Sequence, residues 1–168
     1  MPVNLELKVK IDSHNDVKRI LKNIKAEFIK TLDQKDIYYK TGNGLLKLRI
    51  ENGKQSIIKY LRNEKEKDRF SNYEVLHFSS GDPEKFFKDL FLIETVVEKK
   101  RNLFMYDNTR VHLDDVKGLG TFLELETLVI NGKVDAKKRF KTIVGLLKLS
   151  KYNEIRKSYR DLMMGKNK

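Results

Sequence analysis

Val3-Asn4-Leu5-Glu6-Leu7-Lys8-Val9-Lys10-Ile11 alternates without a break between apolar and polar residues. A period of two marks a β-strand whose two faces meet different surroundings. One face carries Asn4, Glu6, Lys8 and Lys10, and the other is wholly aliphatic. The pattern recurs down the chain. Lys47 and Arg49 alternate with Leu46, Leu48 and Ile50, and Arg110, His112 and Asp114 with Val111 and Leu113. Phe122, Glu124 and Glu126 alternate with Leu123 and Leu125. Tyr60 and Arg62 share one face with Lys59 on the other, Arg69 falls with Ser71 and Tyr73, and Lys99 falls with Arg101.

Turn signals divide these runs. Thr41-Gly42-Asn43-Gly44 and Glu51-Asn52-Gly53-Lys54 are Asn/Gly hairpin sequences, and Asp107-Asn108 and Gly118-Leu119-Gly120 close later ones. After the first strand, further strands are expected near 27–40, 45–51, 54–62, 69–79, 94–106, 109–116 and 121–131. A first helix is expected from an N-cap at Ser13, with Asp16 in its first turn and Val17, Ile20, Leu21 and Ile24 on one face. Asp82-Pro83 predicts a second, through Leu90, with proline at the first helical position. Two more are expected near 134–149 and 153–163, with a charged, solvated loop at 63–68 and a frayed tail at 165–168. Eight strands in mostly hairpin succession imply an α+β fold. They suffice for an eight-stranded antiparallel β-barrel with helices packed outside, which would turn the charged faces inward.

The chain has 168 residues, 39% of them hydrophobic, with no cysteine. That is enough for one domain, 1–168, and too much apolar content for intrinsic disorder. Disulfides, thiolate zinc sites and cysteine nucleophiles are excluded, so a metal would sit on oxygen donors or histidine, which favours Mg²⁺ or Mn²⁺. No apolar run is long enough to cross a membrane and Met1-Pro2-Val3-Asn4 starts no signal peptide, so a cytoplasmic protein is expected. Lys and Arg number 36 against 24 Asp and Glu, a net charge of +12. Such a surplus suits nucleic acid, an acidic membrane surface or a polyphosphate. Alternation along strands favours the last, because cations opposite an apolar face line an interior. Closure would gather Glu6, Asp114, Glu124 and Glu126 with Lys8, Lys47, Arg49, Arg62, Arg69, Lys99, Arg101 and Arg110. Like charges in a low-dielectric cavity are costly unless ions occupy it. Carboxylates holding divalent metal and a cationic wall clamping phosphates are what phosphoryl or nucleotidyl transfer requires.

Asn4-Leu5-Glu6-Leu7-Lys8 resembles the E-x-E-x-K signature of the CYTH superfamily, the triphosphate tunnel metalloenzymes. Gln34 to Tyr39 followed by Gly44-Leu45-Leu46-Lys47-Leu48-Arg49 is similar to the class IV adenylate cyclase-like branch, as are Ile58 to Arg62 and Arg69 to Tyr73. Val97-Glu98-Lys99-Lys100-Arg101, Arg110 to Asp114, Gly118 to Glu126 and Ser158-Tyr159-Arg160-Asp161-Leu162 complete the likeness in order along nearly the whole chain. The resemblance implies an eight-stranded triphosphate tunnel and a Mg²⁺- or Mn²⁺-dependent enzyme acting on ATP or another triphosphate. Glu6, Glu124 and Glu126 would be metal ligands, with Asp114 a further acidic candidate. Lys8, Lys47, Arg49, Arg62, Lys99, Arg101 and Arg110 would contact the triphosphate, and Lys8, Glu6 and Glu126 would be catalytic. The implied reaction is the conversion of ATP to cyclic AMP and pyrophosphate. A triphosphatase hydrolysing thiamine triphosphate, a nucleotide or tripolyphosphate is the nearest alternative, and a non-catalytic polyphosphate binder is a further one. Nucleic acid is disfavoured as a partner. Family members often form homodimers, although no stretch here identifies an interface.

Two positions depart from the pattern. Asn4 replaces the first glutamate of the signature and removes one negative charge, and Leu45 stands where the branch often has arginine. Among other residues, His112 reads as a polar wall residue, His14 and His77 as structural or solvent-facing, Tyr60 and Tyr73 as packing, and Lys137-Lys138-Arg139 as a solvated helix face.

Overall fold

The computed structural model describes residues 3–62 and 70–166. Its strands are β1 (Val3–Lys10), β2 (Glu27–Tyr39), β3 (Leu45–Glu51), β4 (Lys54–Arg62), β5 (Phe70–Phe78), β6 (Ile93–Tyr106), β7 (Thr109–Val116) and β8 (Gly120–Leu128). They close into an antiparallel barrel in the order β1-β5-β4-β3-β2-β6-β7-β8. Two meanders, β2 to β5 and β6 to β8, join where β2 pairs with β6, and β1 seals the gap between β5 and β8. The seam between β1 and β5 is short, pairing Val3–Leu5 with Phe70–Asn72.

The expected turns form for the expected reason. Asn52 and Gly53 have φ of 47° and 80°, and Asp107 and Asn108 have 43° and 55°. Two successive positive φ values give the hairpin turn whose twist matches that of the strands, and Asn, Asp and Gly tolerate them best.

Helices cover the apolar faces. α1 (Asn15–Asn23) and α3 (Lys133–Leu146) bring Val17, Leu21 and Ile143 onto Val9, Val111, Leu113, Leu123 and Leu125 of β1, β7 and β8. α2 (Pro83–Leu90) lays Phe87 against Tyr39, Leu48, Ile57 and Phe78 of the other meander. The Asp82 carboxylate accepts from the Lys85 N–H at 3.0 Å, the expected cap. At α1, Ser13 Oγ accepts from Asn15 N at 3.2 Å and His14 occupies the cap position, one residue later than expected. With the polar faces turned inward, this is the α+β barrel with outer helices that the alternation implies.

Three expectations need correction. No helix spans 153–163. Residues 153–158 instead run beside β1, where Ile155 N donates to Lys8 O at 2.8 Å and Glu154 bridges Val9. The last helix, α4 (Tyr159–Lys166), starts only after Ser158, whose Oγ accepts from Asp161 N at 3.1 Å while Asp161 accepts from Ser158 N at 3.3 Å. That reciprocal cap fixes the start, and backbone pairing with β1 outcompetes helix before it. Gly165 and Lys166, expected to fray, belong to α4, and the Lys166 ammonium donates to Gly118 O. Arg139 is not a solvated residue: it donates to Asp135 within α3 and to the carbonyls of Leu128 and Asp107, tying the helix to strand ends. Arg69, the side chain of Arg62 and the expected loop at 63–68 lie outside the described residues.

Candidate active site

The inward face of β1 presents Asn4, Glu6 and Lys8 between two antiparallel neighbours. Register sets Glu6 opposite Glu126 and Lys8 opposite Glu124 of β8. On the far side of β8, His112 of β7 lies opposite Glu124 and Arg110 opposite Glu126. Arg101 of β6 then lies opposite Asp114, and Lys47 and Arg49 of β3 lie opposite Tyr38 and Asp36 of β2. The tunnel so formed is lined by Glu6, Lys8, Lys47, Arg49, Lys99, Arg101, Glu124 and Glu126, with Tyr38, Tyr60 and Tyr159 among them. Leu45 also reaches it, so the departure from arginine removes a cation from the wall itself.

Buried carboxylates hold the cations in place. Asp36, 1% exposed, accepts from Arg49 Nε and Nη2 at 2.7 Å each and from Lys47 Nζ at 2.9 Å. Burial works to raise its pKa, but the charges of Arg49 and Lys47 outweigh it and hold the carboxyl well below its ordinary range. Asp114, fully buried, accepts from Arg101 Nε and Nη2 at 2.6 Å each and from the Tyr159 hydroxyl at 2.8 Å. Both of its oxygens are thus engaged by the wall and by α4. Forked arginine pairing fixes the plane of each guanidinium, so these cations are positioned before any ligand arrives.

Lysine ammoniums lie in the same interior. Lys8 Nζ lies 3.1 Å from Glu124 Oε1, donates to Lys157 O at 3.0 Å and sits 4.1 Å from the centre of the Tyr159 ring. Lys99 Nζ is 3.9 Å from Asp114 and 4.8 Å from the same ring. Burial, reinforced by the neighbouring Arg101 charge, pushes Lys99 down to about 7. Lys47 is pushed down to about 8 by burial and by Arg49. A nearby anion would oppose the lowering in both.

Across the tunnel, His112, Glu124 and Glu126 offer one donor atom each, all within 4.8 Å of one another. His112 is 4% exposed, and burial with the Arg101 charge lowers its pKa to about 4, leaving a neutral imidazole. Its Nδ1 has no hydrogen-bond partner among the described residues, and neither has the Asn4 side-chain oxygen, which is also buried. Two carboxylates and a neutral nitrogen without a partner form a donor set that fits a divalent cation. Glu6 lies beside this group through its pairing with Glu126 and lines the tunnel.

The expected site residues therefore converge, apart from Arg62, whose side chain lies outside the described ones. Arg110 stands at the edge, half-buried, donating to Glu126 at 3.2 Å. The sequence reading missed Asp36, although Gln34, Asp36 and Tyr38 alternate inward along β2 as the other polar sets do. It also missed Tyr159 as a tunnel residue, because its approach depends on the path of residues 153–158.

Residues 3–159 match the CYTH domain. A Methanocaldococcus jannaschii protein that carries the name "putative adenylate cyclase" is 34% identical, over 95% of this chain and 98% of its own. A solved structure from Pyrococcus horikoshii superposes with a TM-score of 0.80 at 26% identity, covering 95% of this chain and 98% of that one. A conserved hypothetical protein from Pyrococcus furiosus does so with a TM-score of 0.78 at 25% identity, covering 95% and 99%. With its closed barrel, inward charges and profile match across nearly its whole length, this chain belongs to the CYTH domain family.

Proposed function

We propose that this protein is a metal-dependent enzyme that acts on a triphosphate, and that it converts ATP to cyclic AMP and pyrophosphate. The observation that carries the reading is one interior in which Lys8, Lys47, Arg49, Lys99 and Arg101 share the tunnel with Glu6, Glu124 and Glu126. Cations alone would suit any polyanion. Carboxylates set among them at a position fit for a divalent ion suit in-line displacement at phosphorus, where positioning and charge neutralisation carry most of the catalysis. The name of the 34%-identical relative supports the cyclase within that class. No described helix is long and apolar enough to cross a membrane, and the reading places the protein, as one domain, in the cytoplasm.

In this reaction the ribose 3′-oxygen bonds to the α-phosphorus, the bond to the bridging oxygen of the β-phosphate breaks, and the hydroxyl proton is lost. Bound at Glu6, Glu124 and Glu126, Mg²⁺ or Mn²⁺ would neutralise phosphate charge and favour the attacking oxygen's anionic form. Arg49 and Arg101, held flat by Asp36 and Asp114 through Nε and Nη2, would offer their remaining guanidinium N–H groups to phosphate oxygens, and Lys8, Lys47 and Lys99 would add point charge where pyrophosphate departs. Tyr60 stacks on Tyr73 with ring centres 5.7 Å apart, a surface on which a base can rest.

A second reading is hydrolysis of a triphosphate, and the size of the enclosed space favours it. The tunnel encloses about 80 Å³, well below the roughly 300–1,000 Å³ of sites that engulf drug-sized ligands. A phosphate chain enters such a space while any organic part stays at its mouth. Purified protein incubated with Mg²⁺ or Mn²⁺ and ATP, thiamine triphosphate or tripolyphosphate separates the two. Cyclic AMP with pyrophosphate supports the cyclase, and orthophosphate without cyclic AMP overturns it in favour of hydrolysis. No turnover of any of the three overturns both.

A further inference from the structure

His112 sits in the middle of β7, with Glu124 directly opposite and Glu126 one inward position along β8. Its Nδ1 lies 4.0 Å from Glu124 Oε2 and 3.8 Å from Glu126 Oε1. Neither separation is a hydrogen bond, which needs about 3.2 Å or less. A buried polar atom without a partner is costly, and interiors rarely leave such atoms unmatched. Here the unmatched nitrogen and two carboxylate oxygens face one another across a gap. Donors bound at about 2.0–2.2 Å to one ion lie about 3–4 Å from each other, and the two nitrogen–oxygen separations of 4.0 and 3.8 Å fall at the upper end of that range.

The arrangement carries a chemical preference. Mg²⁺ is a hard ion that selects oxygen ligands and retains its waters, whereas imidazole nitrogen favours first-row transition ions. Glu124 is steadied by Arg101 and by Lys8, and Glu126 by Arg110. These contacts hold the two carboxylates on the His112 side of the tunnel.

We propose that His112 is a nitrogen ligand of the divalent ion held by Glu124 and Glu126, and that it gives the site a preference for Mn²⁺ and similar transition ions over Mg²⁺. The proposal rests on the metal-dependent reading above and adds the nitrogen ligand and the selectivity that follows from it.

The test uses the full chain with Mn²⁺ as the probe. Electron spin-echo modulation of the bound Mn²⁺ is recorded on protein at natural abundance and on protein carrying ¹⁵N only in histidine. A directly bound nitrogen whose coupling changes with the histidine label, and which persists when His14 and His77 are replaced, is the expected result. His112→Gln should abolish that coupling and weaken Mn²⁺ about 10–100-fold by titration, with Mg²⁺ affinity changed less than about threefold. Should the variant fail to fold, the isotope comparison on the unmodified chain still decides. Mn²⁺ bound with no histidine nitrogen coupling overturns this proposal and leaves the metal-dependent reading standing. No binding of Mn²⁺ or Mg²⁺, with or without tripolyphosphate, overturns both.

Discussion

Asp36 organises two of the tunnel's cations, and its effect on stability depends on pH in a definite direction. Its folded pKa is held below the unfolded value by Arg49 and Lys47, despite opposition from burial. The stabilisation is therefore complete above about pH 4, the unfolded value, and is lost as pH falls from there through the folded pKa. Asp36→Asn leaves both cations buried without their counter-charge and should cost about 3–5 kcal/mol at pH 7. Thermal melts should show a large loss at pH 7 that narrows below pH 4, and an equal loss at pH 7 and pH 3 would refute the ion-pair account. Lys99 works in the opposite sense. Burial and Arg101 depress it to about 7 from its ordinary 10.5, so the unfolded chain holds more protons between those values and stability rises with pH across that window. Lys99→Met should therefore flatten that rise and stabilise the free protein at pH 7, while weakening tripolyphosphate at least about tenfold by calorimetry. Unchanged affinity would remove Lys99 from the phosphate clamp. The convergence of these cations was legible in β1, β3, β6 and β7, because strict alternation assigns each residue a face. The carboxylate that braces each arginine was not, since which residues pair across strands depends on register and closure.

At the scale of elements, hairpins and sheet faces were more legible than the C-terminal segment. Asn52-Gly53 and Asp107-Asn108 announce their turns because few other residues tolerate two positive φ values in succession. Helix α2 follows from Asp82-Pro83 alone. Residues 153–158 misled the reading, because the pairing of Ile155 and Glu154 with β1 is a long-range contact that no local pattern encodes. The outcome matters for the site. The delayed start of α4 at Tyr159 brings that ring between Lys8 and Lys99 and its hydroxyl onto Asp114. Ser158→Ala removes the cap that fixes this start and should cost about 1 kcal/mol. Amide exchange read by mass spectrometry should accelerate in residues 159–166 with little change in β7 and β8. Unaltered exchange in α4 would show that the cap does not set the helix.

On the scale of the whole molecule, the charge surplus takes a different meaning from the one composition suggests. The inward cations Lys8, Lys47, Arg49, Lys99, Arg101 and Arg110 face Glu6, Asp36, Asp114, Glu124 and Glu126, so the described interior is close to balanced. Most of the +12 lies elsewhere, on exposed lysines such as Lys18, Lys22, Lys100 and Lys138. The tunnel is thus not a reservoir of unpaired charge waiting for an anion. It is a set of preorganised ion pairs, with Lys47 and Arg49 on Asp36 and Arg101 on Asp114. Glu126 lies between His112 on one side and Arg110 on the other, and the proposed function makes it a metal ligand. The most direct measurement compares the initial rate of triphosphate consumption in Mn²⁺ by the unmodified protein and by Glu126→Gln, with circular dichroism to verify that the barrel persists. A folded variant slower by about 100-fold or more is the predicted result, and near-normal turnover by that variant would contradict the account.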